Sequence, residues 1–123
     1  MPLSKFEKNN LTKAWKNEAP TKAANLFIQL HTGDPGVDCT ANVAKEKKRK
    51  KVEVGAIEEG VLTNTNVPEW EEVAETEEAT HVSVWDAEEG GNPRVYGELT
   101  AKVKLTKGQD ARVKAGKAKL SLA

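Results

Sequence analysis

The sequence predicts a mainly β protein, either an antiparallel β-sandwich or a small barrel, with a short helix at its N-terminus. Apolar and polar residues alternate over residues 95–105, which is the period of a half-buried strand. Short turns rich in glycine, proline and aspartate separate several such segments, and a single helical pattern precedes Pro20. The 123 residues suffice for one core. We therefore predict an N-terminal helical arm over 1–20 and a single β-sandwich domain over 21–123.

The helix is predicted over about residues 4–16. Ser4 and Glu7 have the spacing of a capping box, in which the serine hydroxyl accepts at the N-cap and the glutamate reaches back. Apolar residues then recur at helical spacing until Pro20 prevents continuation. We expect this apolar face to cover one end of the sheet; the alternative is an arm that binds a partner. The apolar residues are Leu3, Phe6, Leu11, Ala14 and Trp15.

Two strands are predicted in the first half of the chain. Residues 26–31 are apolar enough to be typical of a strand that is buried on both faces. They lead into a turn at 31–36, where Asp-Pro initiates the turn and glycine supplies positive φ. Residues 51–56 alternate directly after a basic run and predict a half-buried strand. Residues 60–68 are rich in β-formers with weak alternation.

The C-terminal half contains the clearest strand signals. Residues 79–86 and 95–105 alternate on either side of a glycine-rich turn, and a second turn is predicted at 107–110. The alternation then changes parity at Gly116, which predicts a bulge or a tight turn there. Residues 69–78 fit two interpretations, a helix or a loop that leads into the following strand.

Charge is strongly segregated, although the formal net charge is zero. Residues 1–40 carry +1, residues 41–55 carry +4, residues 56–90 carry −11 and residues 91–123 carry +6. The neutral total argues against binding of free nucleic acid. Two interpretations stay open: opposite charges on neighbouring strands neutralise each other, or a positive and a negative patch dock on neighbouring copies or on a partner.

These charge blocks supply the candidate contact residues. The basic candidates are Lys45, Lys47, Lys48, Arg49, Lys50 and Lys51. The candidate acidic face comprises Glu69, Glu71, Glu72, Glu75, Glu77 and Glu78.

Enzymatic and metal chemistry find little support in the sequence. His31 and His81 are expected on opposite ends of different strands, too scattered for a metal site. Cys39 near His31 suggests a nucleophile with its base, but no recognisable motif supplies a third orienting group or an oxyanion site. A single cysteine also excludes an internal disulfide framework and a CxxC zinc site. Gly90-Gly91 does not open a helix, so a phosphate loop is not predicted. We predict no catalytic residue, no metal and no cofactor.

Membrane insertion and secretion are not expected either. No apolar stretch approaches the roughly 20 residues that span a bilayer, and the N-terminus lacks the apolar region of a signal peptide.

Four segments form an ordered set. They read LFIQLHTGDPG at 26–36, ATHVSVWDAEEGGN at 79–92, YGELT at 96–100, and KGQD followed by AGKAKL within 107–120. The set resembles the motifs L-x-L-H-T-A-D-P-G, A-T-H-x-x-I-x-D-A-x-x-G-G-N, Y-x-G-x-L-T and x-G-D…x-A-G-x-L of a family of small tailed-phage virion proteins. Members are labelled tail fibre or head decoration protein and are common in phages of actinobacteria. The residues that carry the turn motifs are His31, Thr32, Asp34, Pro35, Gly36, Asp86, Gly90 and Gly91.

The chain departs from this family at two places. Its basic run stands where members tend to have Gly/Ser-rich sequence followed by an aromatic-basic strand, and members tend to have Phe near Ala111 or Val113.

The resemblance implies a β-rich structural protein without enzymatic activity, used in many copies on a virion that assembles in the host cytoplasm. The chain has neither heptads nor repeats for a long fibre. We therefore expect a homo-oligomeric capsid decoration protein that binds the major capsid lattice, with a small tail fibre or baseplate subunit bound to tail proteins as the alternative. A third hypothesis is a carbohydrate-binding β-sandwich that stacks sugars on Trp70, Trp85 and Tyr96. A small hydrolase has no motif behind it.

Overall fold

The computed structural model describes residues 3–20, 23, 25–53, 55, 61–113 and 119–121. Within these ranges it is mainly β with a short N-terminal helix, which confirms the predicted class. The elements are α1 (Lys5–Thr12) with a 3₁₀ extension (Lys13–Lys16), β1 (Leu26–His31), β2 (Lys50–Val52), β3 (Val61–Thr63), β4 (Glu69–Trp70), β5 (Glu77–Trp85), β6 (Pro93–Leu105), β7 (Ala111–Arg112) and β8 (Lys119–Ser121).

The main sheet is antiparallel and has the strand order β2-β1-β5-β6. Two smaller antiparallel pairs accompany it, β3 with β8 and β4 with β7. No barrel closes among the strands that the structure describes. β5 and β6 form a hairpin across the predicted glycine-rich turn. Apolar and polar residues alternate in both strands, so each strand can bury one of its faces.

The core lies on one face of the main sheet. In register, Ile28 faces Val84 and Leu30 faces Val82, and all four side chains are buried. The β4–β7 pair packs over the same core through Trp70, which is 1% exposed. The other buried members of this cluster are Ala44, Val52, Val73, Ala79, Val95, Leu99, Leu105, Ala111 and Val113.

The opposite face of β1 carries Phe27, which is half-buried, and two polar side chains that are buried, those of Gln29 and His31. Gln29 and His31 both contact the backbone of residues 41–49. The side-chain amide of Gln29 donates to the Lys47 carbonyl, and Nδ1 of His31 forms a hydrogen bond with the Ala41 carbonyl. Residues 28–31 of β1 alternate between the two faces and are all buried, so the predicted burial on both faces is confirmed for this part of the strand.

The N-terminal helix is confirmed in position, but the predicted apolar face is confirmed only in part. Leu3 packs against the core and Phe6 is half-buried, whereas the rest of that face is exposed. The Ser4 hydroxyl accepts the N–H of Glu7 at 3.1 Å, as a capping box requires. The Glu7 carboxylate does not reach back, however; it binds Arg94 instead. The buried helix residues are Glu7 and Asn10, whereas Leu11 and Trp15 are exposed. The helix is therefore attached through polar groups.

The uncertain segment 69–78 is not helical. It forms the two-residue strand β4, a loop over 71–76 and the first two residues of β5, so the interpretation as a loop that leads into a strand is confirmed. Part of the alternation predicted at 51–56 and the parity change at Gly116 lie outside the described residues.

Candidate interaction surface

The basic run, residues 45–51, lies along the edge of β1. Ala44 donates its N–H to the carbonyl of Leu30, and Lys50 then begins β2. The lysines are exposed except for Lys50, which is half-buried. In the part of the chain that the structure describes, none of their ammonium groups forms an ion pair. They are available to a partner, and that role stays a prediction.

Arg49 differs from its lysine neighbours because it is built into the domain. Its guanidinium stacks over the ring of Trp85, 3.8 Å from the centroid. It also donates to the carbonyls of Ala87 and Gly90 at 3.0 and 2.7 Å. Burial lowers the pKa of Arg49, an effect that Asp86 and Glu89 oppose. This arginine therefore joins the basic run to the turn between β5 and β6.

The acidic segment, residues 69–78, divides into groups with different roles. Glu69 pairs with Arg112 at 3.5 Å and Glu78 with Lys102 at 3.8 Å, both on the surface. Glu77 accepts the backbone N–H groups of Lys45 and Glu46 at 3.0 and 3.1 Å. The remaining carboxylates are exposed and form no ion pair with any described residue; they belong to Glu71, Glu72 and Glu75.

The basic run and the acidic segment meet at one surface. A polar cavity of about 340 Å³ is lined by Glu46, Lys48 and Lys50 from the basic run and by Trp70, Glu71 and Glu72 from the acidic segment. The indole N–H of Trp70 donates to the Lys48 carbonyl at 2.7 Å and fixes the two segments together. Opposite charges are thus neighbours here, which favours mutual neutralisation over two separate charged faces at this place.

The first turn motif is held by its own hydrogen bonds. Asp34 accepts the N–H of Gly36 at 2.9 Å, and its carbonyl accepts the side-chain amide of Asn42 at 2.9 Å. The Pro35 carbonyl accepts the N–H of Ala41. Thr32 donates its N–H to the Asn42 carbonyl, which closes the loop. These residues shape the loop that covers His31.

The second turn motif is organised by Asp86. Its carboxylate accepts the N–H of Asn92 at 2.7 Å and contacts the guanidinium of Arg94. Gly90 and Gly91 both have positive φ, 65° and 70°. Burial alone would raise the pKa of Asp86, but hydrogen bonds from Asn92 and Arg94 outweigh it and lower that pKa.

A buried ionic network connects this turn to the helix, and sequence reasoning missed it. Arg94 on β6 binds both carboxylate oxygens of Glu7 at 3.1 Å and one oxygen of Asp86 at 3.1 Å. Its guanidinium also lies 5.2 Å from the ring centroid of Phe6. Glu7 and Arg94 are 87 residues apart, so no local sequence pattern predicts that they form a pair.

The two histidines face each other across β1 and β5, so the expectation that they are scattered is wrong. The ring nitrogens of His31 are both occupied, Nδ1 by the Ala41 carbonyl at 2.8 Å and Nε2 by the Ser83 hydroxyl at 2.7 Å. The hydroxyl of Ser83 also accepts the indole N–H of Trp85. Burial lowers the pKa of His31, which favours the neutral ring. No cluster of three potential metal ligands occurs among the described residues.

Cys39 is buried in the loop that covers His31. Burial raises the pKa of its thiol to about 12, with a further contribution from Asp38 and Asp34. A thiol with that pKa is almost entirely protonated at neutral pH and is a poor nucleophile.

The tryptophans are divided between the core and the surface. Trp70 and Trp85 are only 1% and 8% exposed, so neither can act as the sugar-stacking platform that one hypothesis required. Trp15, at the end of the helix, is 87% exposed. It therefore offers the large accessible aromatic surface that those two lack.

No helix in the described residues is long and apolar enough to cross a membrane. In a comparison with curated proteins, no match was found. The model of one protein family, described as podophage GP4 fiber I protein gp80, matches residues 2–121. The chain therefore belongs to this family, and it is a phage virion protein of the fibre type.

Proposed function

We propose that the chain is a non-enzymatic structural subunit of a phage tail-fibre apparatus, held in the virion by contacts with tail proteins and with further copies of itself. The family match carries this proposal: it covers residues 2–121, and therefore both the helix and all described strands. The match therefore supports a role for the helix and the described strands together. Assembly in the host cytoplasm is part of the same proposal.

The state of the reactive side chains supports a structural role. Both ring nitrogens of His31 are bonded, and the ring is fully buried. The thiol of Cys39 is buried and protonated. Arg94 and its two carboxylates are joined to one another. These groups, which could serve catalysis elsewhere, stabilise the fold here.

A second candidate is capsid decoration, with the major capsid protein as partner. This candidate is favoured because the sequence of 123 residues contains neither the heptads nor the repeats of a long fibre. A unit of this size fits between the subunits of a lattice. We rank the tail first because the family that matches is described as a fiber protein.

Purified virions distinguish these candidates. We expect quantitative mass spectrometry to find a copy number well below that of the major capsid protein, and gold label on a tagged chain to lie at the tail. Near-equal copy numbers with label over the head would replace the tail with the capsid. Absence of the chain from washed virions would overturn both.

A further inference from the structure

We propose that the docking helix, residues 5–16, attaches the chain to another virion protein by inserting Trp15 into an apolar pocket rimmed with carboxylates. This rests on the proposed function and adds the element that makes the contact and the chemistry of its partner.

The docking helix exposes an apolar stripe. Leu11 lies near the end of α1, and Ala14 and Trp15 lie in the 3₁₀ extension that follows, where side chains three residues apart align. All three are exposed, Trp15 by 87% and Leu11 by 38%. Tryptophan is the residue type most enriched among those that dominate binding energy at protein interfaces. The stripe is therefore suited to contact another protein.

The fold itself keeps this stripe pointed away from the domain. The opposite face of the helix is polar and buried, with Glu7 bound to Arg94. Ser4 donates its N–H to the Arg94 carbonyl, and Lys5 donates its own to Val37. The helix is thus anchored without Leu11, Ala14 or Trp15, so those three residues are free for an external contact.

Trp15 is also held on an ordered backbone. Asn17 ends the 3₁₀ extension in the left-handed conformation, with φ of 60°. Its N–H binds the Ala14 carbonyl at 3.2 Å, and the N–H of Glu18 binds the Lys13 carbonyl at 2.9 Å. A side chain displayed on a closed turn loses less conformational entropy on binding than one on a loose tail.

The charge around the stripe specifies the partner. Lys5, Lys8 and Lys16 are exposed, and no ion pair joins their ammonium groups to any described residue. The helix's own carboxylate, on Glu7, is withdrawn into the buried pair with Arg94. A basic rim around an apolar centre complements carboxylates around a pocket.

A lipid surface would offer negative charge as well, but the geometry favours a protein. Helices that lie in membrane interfaces bury a long apolar face. Here the exposed stripe has three residues, one of them alanine. A single large aromatic side chain fits a pocket better than a bilayer.

The test uses a phage that lacks the gene for this chain, complemented in trans by the full-length chain or its variants. We expect Trp15→Ala to lower occupancy on purified virions by about tenfold or more, while Trp15→Phe retains most of it. The double variant Lys8→Glu with Lys16→Glu should lose occupancy too. The matched control is Val67→Ala, an apolar residue that is exposed by 47% outside the docking helix and should incorporate normally.

Each outcome bears on one proposal. Normal occupancy of Trp15→Ala overturns the inference, and absence of the wild-type chain from virions overturns the proposed function instead. A photo-crosslinking residue at position 15 should join a different virion protein at a site with neighbouring carboxylates. Crosslinks to a second copy of the chain would overturn the inference in favour of self-association. Binding of the free chain to anionic phosphatidylglycerol vesicles, if Trp15→Ala abolishes it, would overturn the inference in favour of a lipid surface.

Discussion

Glu7 and Arg94 form a buried two-oxygen ion pair, 3.1 Å at each contact, which joins the first helix to the start of the longest strand. Their side chains are only 11% and 7% exposed. Asp86 completes the network from the preceding turn. Because the apolar side of the helix faces solvent, this polar attachment sets the helix's orientation, and with it the exposure of Trp15.

The network can be tested by removing its central cation. We expect Arg94→Met to lower the free energy of unfolding by about 3–5 kcal/mol, since it leaves two buried carboxylates without their partner. Urea denaturation measures the loss. The control is Lys102→Ala, which removes the exposed pair with Glu78 and should cost less than about 1 kcal/mol. Equal losses for the two variants would contradict the prediction.

Stability should fall as the pH drops below about 6.5 because of His31. Burial lowers its pKa in the folded chain, so the unfolded chain takes up a proton first as the pH falls. The stabilising contribution is therefore complete above the unfolded pKa and declines below it. Thermal unfolding at pH 7.5 and 5.5 measures the difference. The difference in stability between the two pH values should shrink in His31→Gln and largely persist in His81→Gln. A smaller difference in His81→Gln than in His31→Gln would contradict the prediction.

Cys39 should resist alkylation in the native state. Its thiol is buried and has a pKa of about 12, so both access and thiolate are lacking at neutral pH. We expect iodoacetamide to modify the chain only under denaturing conditions, as intact mass measures. Rapid labelling of the native chain would show that the covering loop opens readily.

The two glycines of the β5–β6 turn should respond unequally to alanine. Both have positive φ, which costs a non-glycine residue on the order of 1 kcal/mol. A Cβ at Gly91 would also collide with Asp86 Oδ1 and lie 2.7 Å from the Cβ of Ala87, whereas nothing lies within 4 Å at Gly90. Gly91→Ala should therefore lower the free energy of unfolding by about 1–3 kcal/mol more than Gly90→Ala. Equal effects would argue against this geometry.

The basic run should separate into a structural and a surface part. Arg49→Ser removes the stacking on Trp85 and two hydrogen bonds to carbonyls, so it should cost about 1–3 kcal/mol of folding stability. Lys47→Ser and Lys48→Ser should change stability by less than about 0.5 kcal/mol. The lysine variants should instead associate more weakly with particles, which gel densitometry of virions across a salt series measures. Unchanged occupancy would remove these lysines from the contact.

Much of the local structure could be predicted from the sequence. The alternation over 95–105 corresponds to β6, and the apolar run at 26–31 corresponds to β1. Glycine and aspartate marked the turn that Asp86 organises. Such signals depend on residues that are neighbours in the chain, so they can be recognised in a single sequence. The direction of the helix's apolar face could not be predicted in this way, because it depends on Arg94.

The sequence by itself determined the mainly β class, the order of the helix and strands, and membership of a phage fibre family. Only the tertiary structure decided which charges meet. It placed Lys48 and Lys50 beside Glu71 and Glu72, buried Glu7 against Arg94, and left Trp15 exposed. The physical reason is that periodicity and turn chemistry act over a few residues, whereas an ion pair requires only that two side chains meet in space, however far apart they lie in the chain.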